Sequence, residues 1–241
     1  MTTGPVVLIT GASKGIGRAL ADRLARRGAT VIGLARGASD DFPGELVQVD
    51  LADSTATHAA LKEITSRVQV DAVVNNVGLV RHQLLGEIDP ADLASVLDLN
   101  LRPALQAAQA ALPAMRAAGR GRIVNLSSLT ILGLAHRTSY AAAKAAIVSF
   151  TRTWALELAT TGITVNAVAP GPTETELFRA GTPVGSDKET QFLSLVPMRR
   201  FARPQEIVGA IDFLLSDDAA YITGQTLFVD GGASVGRAGF A

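Results

Sequence analysis

The chain has 241 residues, 48% of them hydrophobic, a formal net charge of +0 and no cysteine. That balance argues against a nucleic-acid binder, which usually carries a basic excess or stripe, and it removes disulfide frameworks and thiolate metal sites. His58, His82 and His136 are not spaced as zinc ligands, and no run approaches the ~20 apolar residues of a membrane span, so a cytoplasmic protein without a metal is expected.

In chain order, Met1 to Pro5 has no basic stretch followed by an apolar one, and no signal peptide is read there. A strand is predicted over Val6–Thr10 and a helix over 15–27. Between them runs Thr10-Gly-Ala-Ser-Lys-Gly-Ile-Gly17. Glycines let a backbone turn tightly and approach a pyrophosphate, and the helix start that follows presents free N–H groups to the anion. The spacing is G-x-x-x-G-x-G rather than the commoner G-x-G-x-x-G. Its place directly after the first strand favours dinucleotide binding over a packing turn. The second strand, 30–34, ends at Ala35, where an acid would bind the ribose 2′-OH of NAD. Arg36 follows, and Lys14 in the glycine turn can reach the same group, so NADP(H) is expected over NAD(H). Asp40 and Asp41 are expected in solvent.

Further strands are predicted over 45–49, Ala72–Asn75, 122–127, 164–169 and Thr226–Val229, and helices over Ser54–Arg67, 90–117, 139–160 and 204–216. Apolar strands separated by helices mean βαβ units. The expected fold class is α/β: one domain over 1–241, with a doubly wound, seven-stranded parallel sheet and helices on both faces. Segment 174–203 has irregularly spaced apolar residues and is expected to be a long functional loop, a substrate lid. Tyr140 and Lys144 lie four apart on the predicted helix 139–160, so their side chains share a face. A phenol alone, with a pKa of about 10, is a poor acid at neutral pH, and a neighbouring ammonium is expected to lower it. His136 reads as a solvated loop residue and His82 as surface. Trp154 falls in a stripe with Ile147, Phe150 and Leu158 that reads as core or subunit interface.

Placed together, these residues resemble the short-chain dehydrogenase/reductase family over essentially the whole chain, and among its members the 3-oxoacyl-[acyl-carrier-protein] reductases. The resemblance implies a Rossmann fold. It also implies that Gly11, Ser13, Lys14, Gly15, Ile16 and Gly17 cradle the cofactor phosphates, with Arg36 at the 2′-phosphate. Asp50 and Leu51 match the pair at the adenine. Asn75-Asn-Val-Gly78 resembles the family's Asn-Asn-Ala-Gly, so Asn76, Val77 and Gly78 are implied cofactor contacts. Pro170-Gly-Pro-Thr173 matches the segment at the nicotinamide amide and brings in Pro170, Gly171, Thr173 and Thr175. Tyr221-Ile-Thr-Gly224 and Val229-Asp-Gly-Gly232 match the family's C-terminal segment.

The implied catalytic set is Asn100, a serine, Tyr140 and Lys144. Counting back the family's usual thirteen residues from the tyrosine gives Ser127, whereas aligning the strand gives Ser128. Alternate strand residues face opposite ways, and Ser128 is preferred on strand register. The resemblance further implies that Tyr140 protonates a carbonyl, the serine holds its oxygen, Lys144 bonds the nicotinamide ribose, and Asn100 holds a water. The expected activity is NADPH-dependent reduction of a ketone, or the reverse oxidation of a secondary alcohol, with a 3-oxoacyl thioester as one candidate substrate. Arg116, Arg120 and Arg122 are candidates for docking a carrier protein, although the neutral Ala159-Thr-Thr-Gly162 weakens that partner. An NAD-dependent alcohol dehydrogenase of the same family and a non-catalytic nucleotide sensor stay open. A homotetramer is implied, with Phe240 packing on a neighbour.

Overall fold

The computed structural model describes residues 4–236. Seven parallel strands form one sheet in the order β3-β2-β1-β4-β5-β6-β7. They are β1 (Val6–Thr10), β2 (Thr30–Ala35), β3 (Glu45–Gln48), β4 (Ala72–Asn75), β5 (Gly121–Leu126), β6 (Ile163–Pro170) and β7 (Thr226–Val229). Between them lie α1 (Gly15–Arg26), α2 (Ser54–Arg67), α3 (Pro90–Ala118) and α4 (Thr138–Leu158), and α7 (Pro204–Leu215) precedes β7. The strand order reverses direction between β1 and β4, and at such a switch point the loops at the strands' carboxyl ends part to leave a crevice.

The alternation of side chains along β1 divides the core. Leu8 packs with Leu61 and Ile64 of α2, Ala107, Ala111 and Met115 of α3, and Leu158 of α4. Val7 and Ile9 face the other way, onto Leu20 and Leu24 of α1 and Ile207 and Ile211 of α7. Both faces of the sheet are therefore covered, as continuous apolar runs in the strands require. Trp154 is half-buried against the first cluster, its ring 5.1 Å from that of Phe150.

The irregular segment 174–203 differs from the loop expected of it. It holds two short helices, α5 (Glu176–Gly181) and α6 (Asp187–Leu195), capped by the side chains of Thr175 and Ser186. The Phe178 ring meets Phe192 and Phe201 edge-on at 5.5 and 5.0 Å. Arg179 pairs with Glu174 and Glu189 and lies over the Phe201 ring. A small aromatic core closed by one guanidinium thus orders what the hydrophobic spacing left unread. Phe240 falls outside the described residues.

Candidate active site

The carboxyl ends of β1, β4, β5 and β6 bring the predicted motifs to one crevice. After β1 the chain turns through Gly11 and Gly15, at φ +67° and +55°. A Cβ on Gly17 would stand 2.2 Å from the Gly11 carbonyl oxygen and 2.7 Å from Asn76 Nδ2. Thr10 Oγ1 accepts hydrogen bonds from the backbone N–H of Asn76 and Val77, and Asn76 Nδ2 donates to the Gly11 carbonyl at 2.8 Å. The turn is therefore stitched to the end of β4. Thr10 is a positioning residue that the sequence reading did not single out, although the threonine closing an apolar strand was its only signal.

Ser13 and Ile16 are half-buried along the turn, and Lys14 is exposed. Lys14 Nζ lies 2.9 Å from Glu176 Oε2 in the first turn of α5, so its partner is a carboxylate of the lid. Arg36 is exposed at the end of β2. Asp40 is exposed as expected. Asp41 is exposed as expected too, and it also pairs with Arg18 at 2.9 Å, because α1 carries that arginine over the β2–β3 loop. Asp50 Oδ1 accepts from Ala52 N beyond β3, and Leu51 beside it is buried. Pro170 ends β6. Gly171 has the Asp230 backbone so close that a Cβ would come within 2.7 Å of its Cα, which is where the C-terminal motif meets the site. Thr173 is buried and bridged to Ala202, and the Thr175 side chain lies 3.2 Å from the Cβ position of Gly15.

Tyr140 and Lys144 occupy the first two turns of α4. Lys144 is 3% exposed, and its Nζ donates to the Leu126 carbonyl at 2.8 Å. The same ammonium stands 5.6 Å from the centre of the Tyr140 ring. Burial holds the Lys144 ammonium down to about 8. Burial also pushes the Tyr140 phenol above its ordinary value, against the Ser128 hydroxyl and the Arg137 guanidinium, which pull it back. The phenol thus stands above its ordinary value rather than below it, because burial outweighs the groups that pull it down, and Arg137 is a cation near it that the sequence did not point to.

The two serines point apart. Ser127 is buried and its Oγ donates to the Lys144 carbonyl at 3.0 Å. Ser128 faces the phenol and caps the 3-10 turn Leu129–Leu132, accepting from Thr130 N. Asn100 Nδ2 donates to the carbonyls of Leu79 and Val96, while its Oδ1 is buried with no partner among the described residues. The Cβ position of Gly78 lies 3.0 Å from that Oδ1 and 3.4 Å from Lys144 Nζ, so both atoms border the same small space. Arg137, three residues before Tyr140, was not foreseen, and a basic residue just outside a helix start gives no signal by itself.

Two of the proposed docking arginines, Arg120 and Arg122, are not at this crevice. Arg122 opens β5 at the opposite end of the sheet, buried against the Gly121 and Ser216 carbonyls, and Arg120 pairs with Asp217 there. Strand direction decides this: the crevice lies at carboxyl ends, and these side chains leave the amino end of β5. Among the described residues no helix is long and apolar enough to cross a membrane and no cluster of ligating side chains could hold a metal.

A family model described as enoyl-(acyl carrier protein) reductase matches residues 11–234. The 3-oxoacyl-[acyl-carrier-protein] reductase of Vibrio harveyi is 41% identical over 239 residues, covering 95% of this chain and 97% of the relative. The ligand-free aldohexose dehydrogenase of Thermoplasma acidophilum superposes with a TM-score of 0.90 at 31% identity, covering 99% of this chain and 96% of the other. A structure of ElxO with NADP bound superposes with a TM-score of 0.90 at 29% identity, covering 97% of this chain and all (100%) of the other.

Proposed function

The chain belongs to the short-chain dehydrogenase/reductase family, an NAD(P)-dependent oxidoreductase acting on carbonyls and alcohols, and from that premise we propose that it is an NADPH-dependent carbonyl reductase. One observation carries the reading: Ser128, Tyr140, Lys144 and the free Oδ1 of Asn100 border one crevice beside the glycine turn. The residues fit a dinucleotide. Side chains at Gly11, Gly15 and Gly17 would fill the turn, and the unpartnered Asn100 oxygen awaits a donor next to Lys144.

When bound, the nicotinamide supplies or takes up the hydride. As a carbonyl is reduced, its oxygen gains negative charge and needs donors aimed at it. Tyr140 gives the proton from a phenol that burial keeps protonated at neutral pH, and Ser128 holds the oxygen. Lys144 bonds the ribose hydroxyls, and Asn100 Oδ1 holds a water that returns protons from solvent. Gly11 to Gly17 present backbone to the phosphates, Asp50 and Leu51 flank the adenine, and Asn76, Val77 and Gly78 form the floor. Pro170, Gly171, Thr173 and Thr175 hold the nicotinamide amide. Arg36 selects the 2′-phosphate, and relatives with bound NADP support that preference.

The 3-oxoacyl-carrier-protein reductases among the relatives support a 3-oxoacyl thioester as substrate. A carrier protein, if it is the donor of that thioester, docks without Arg120 and Arg122, which lie at the far end of the sheet. Assembly into a homotetramer through α3 and α4 is supported by Leu105 and Leu156, which are exposed on those helices. The test is NADPH absorbance with a panel of ketones and 3-oxoacyl thioesters, beside titration of NADPH against NADH. Tyr140→Phe is expected to cut turnover by about 10²–10⁴-fold while keeping NADPH binding. A near-normal rate in that variant would sink the mechanism.

A further inference from the structure

Arg137 and His82, from two loops, meet beside Tyr140, with His136 and Lys188 near enough for their charges to act on His82. Arg137 stands at the entrance to α4, three residues before the tyrosine, a spacing that puts the two on one side of the helix. It is half-buried, and its guanidinium contacts His82 Nε2. Burial lowers its affinity for its proton, and the Tyr140 phenol acts the other way. His82 is held below its ordinary value by burial and by the charges of Arg137, Lys188 of α6 and His136. Asp92, the carboxylate bonded to Gln83 beside His82, is already paired with Arg81, and no carboxylate among the described residues bonds the Arg137 guanidinium.

The backbone maintains the gathering at a cost. His136 sits at φ +64°, a region that side-chain-bearing residues seldom occupy, and such strain concentrates at functional sites. Its carbonyl accepts from Gln83 N, and Gln83 and Arg137 form a parallel bridge, so the loop carrying His82 is fastened to the loop carrying Arg137. Gln83 donates to Asp92, and its own Oε1 is left buried and unpartnered among the described residues. A half-buried guanidinium with no carboxylate bonded to it is unfavourable unless an anion completes it. A guanidinium fork suits the two oxygens of a carboxylate or phosphate.

We propose that Arg137, with Lys188, His82 and His136 around it, forms an anion subsite at the mouth of the Tyr140 pocket, and that the substrate is a carbonyl or alcohol compound carrying a carboxylate or a phosphate. This rests on the reductase reading and names the substrate class for it. Lys188 belongs to the lid, so the lid contributes to the subsite directly.

Two matched pairs test it, with NADPH as reductant: 3-oxobutanoate against its ethyl ester, and acetoacetyl-phosphopantetheine against acetoacetyl-pantetheine. The wild type is expected to prefer the anionic member of at least one pair in kcat/KM. Arg137→Gln is expected to reduce that preference by about tenfold or more, mainly through KM, and Arg137→Lys to restore part of it. A preference in the first pair alone identifies a carboxylate, and in the second alone a phosphate. Lys188→Gln, on an exposed part of the lid, is expected to reduce the preference by about threefold and reports on the same subsite should Arg137→Gln fold poorly. Reduction of the neutral members with no preference for charge, or a preference unmoved by both variants, overturns the subsite and leaves the reductase reading standing. A protein that reduces other ketones of the panel but none of the four overturns the subsite alone, and one that reduces no carbonyl compound overturns both.

Discussion

At the scale of single residues, the adjacent serines separate structure from chemistry. Ser127 Oγ is spent on the Lys144 carbonyl inside the protein, while Ser128 faces the phenol. Ser128→Ala is therefore expected to lower kcat by about 10²–10³-fold, the usual loss of one oxyanion donor. Ser127→Ala is expected to cost about 1 kcal/mol of stability, the net worth of one buried hydrogen bond. Parallel kinetics and urea melts on the two variants check this, and a larger kinetic loss from Ser127→Ala would reverse the assignment. Lys144 gives a second prediction. Its buried ammonium titrates at about 8, below the ordinary 10.5. Between those values the unfolded chain binds a proton that the folded chain has released, so this group's contribution to stability rises with pH across that window. Below pH 8 the charged, buried lysine costs up to about 3 kcal/mol, from 1.36 kcal/mol per pKa unit. The difference in unfolding free energy between Lys144→Met and wild type should then narrow as pH rises from 8 to 10, and a pH-independent difference would contradict the burial argument.

Among elements, the lid and the glycine turn are the pair whose relation matters most. Two contacts join them: the Lys14–Glu176 ion pair and the Thr175 side chain against Gly15. Glu176 holds the cation that the glycine-turn motif directs to the 2′-phosphate beside Arg36. Glu176→Gln is expected to release Lys14 and tighten NADPH binding by about two- to fivefold, the modest scale of an exposed ion pair. The effect should vanish in a Lys14→Met background, which a double-mutant cycle by fluorescence titration measures. The helices of the lid were only partly legible. Ser186 followed three residues later by Glu189 is a helix-start pattern, and the structure uses it, with Glu189 N donating to Ser186 Oγ. Their short lengths, six and nine residues, gave too few turns for a hydrophobic period to register.

At the level of the whole molecule, the two halves of the sheet are tied on one face by α1 and α7. Asp212 of α7 is almost wholly buried and accepts from both Arg23 and Arg27 of α1, 189 and 185 residues away in the chain. Asp212→Leu is expected to destabilise the fold by about 1–3 kcal/mol, the worth of hydrogen bonds to a charged group, visible as an earlier urea midpoint with unchanged slope. The succession of strands and helices along the chain, the sheet's coverage on both faces and the loops that carry the site followed from the sequence. Those features depend on local propensity and on a chain-wide alternation of apolar strands with helices, and both are written residue by residue. The glycine turn and the Tyr140–Lys144 spacing were legible for the same reason. What only the tertiary structure decided were relations between residues far apart in the chain: that Lys14 meets Glu176, that Arg122 leaves the wrong end of the sheet for a docking surface, and that Arg137 meets His82. A side chain's charge is fixed by its identity, but its partner and its burial are fixed by where the chain returns, and those govern what the charge does.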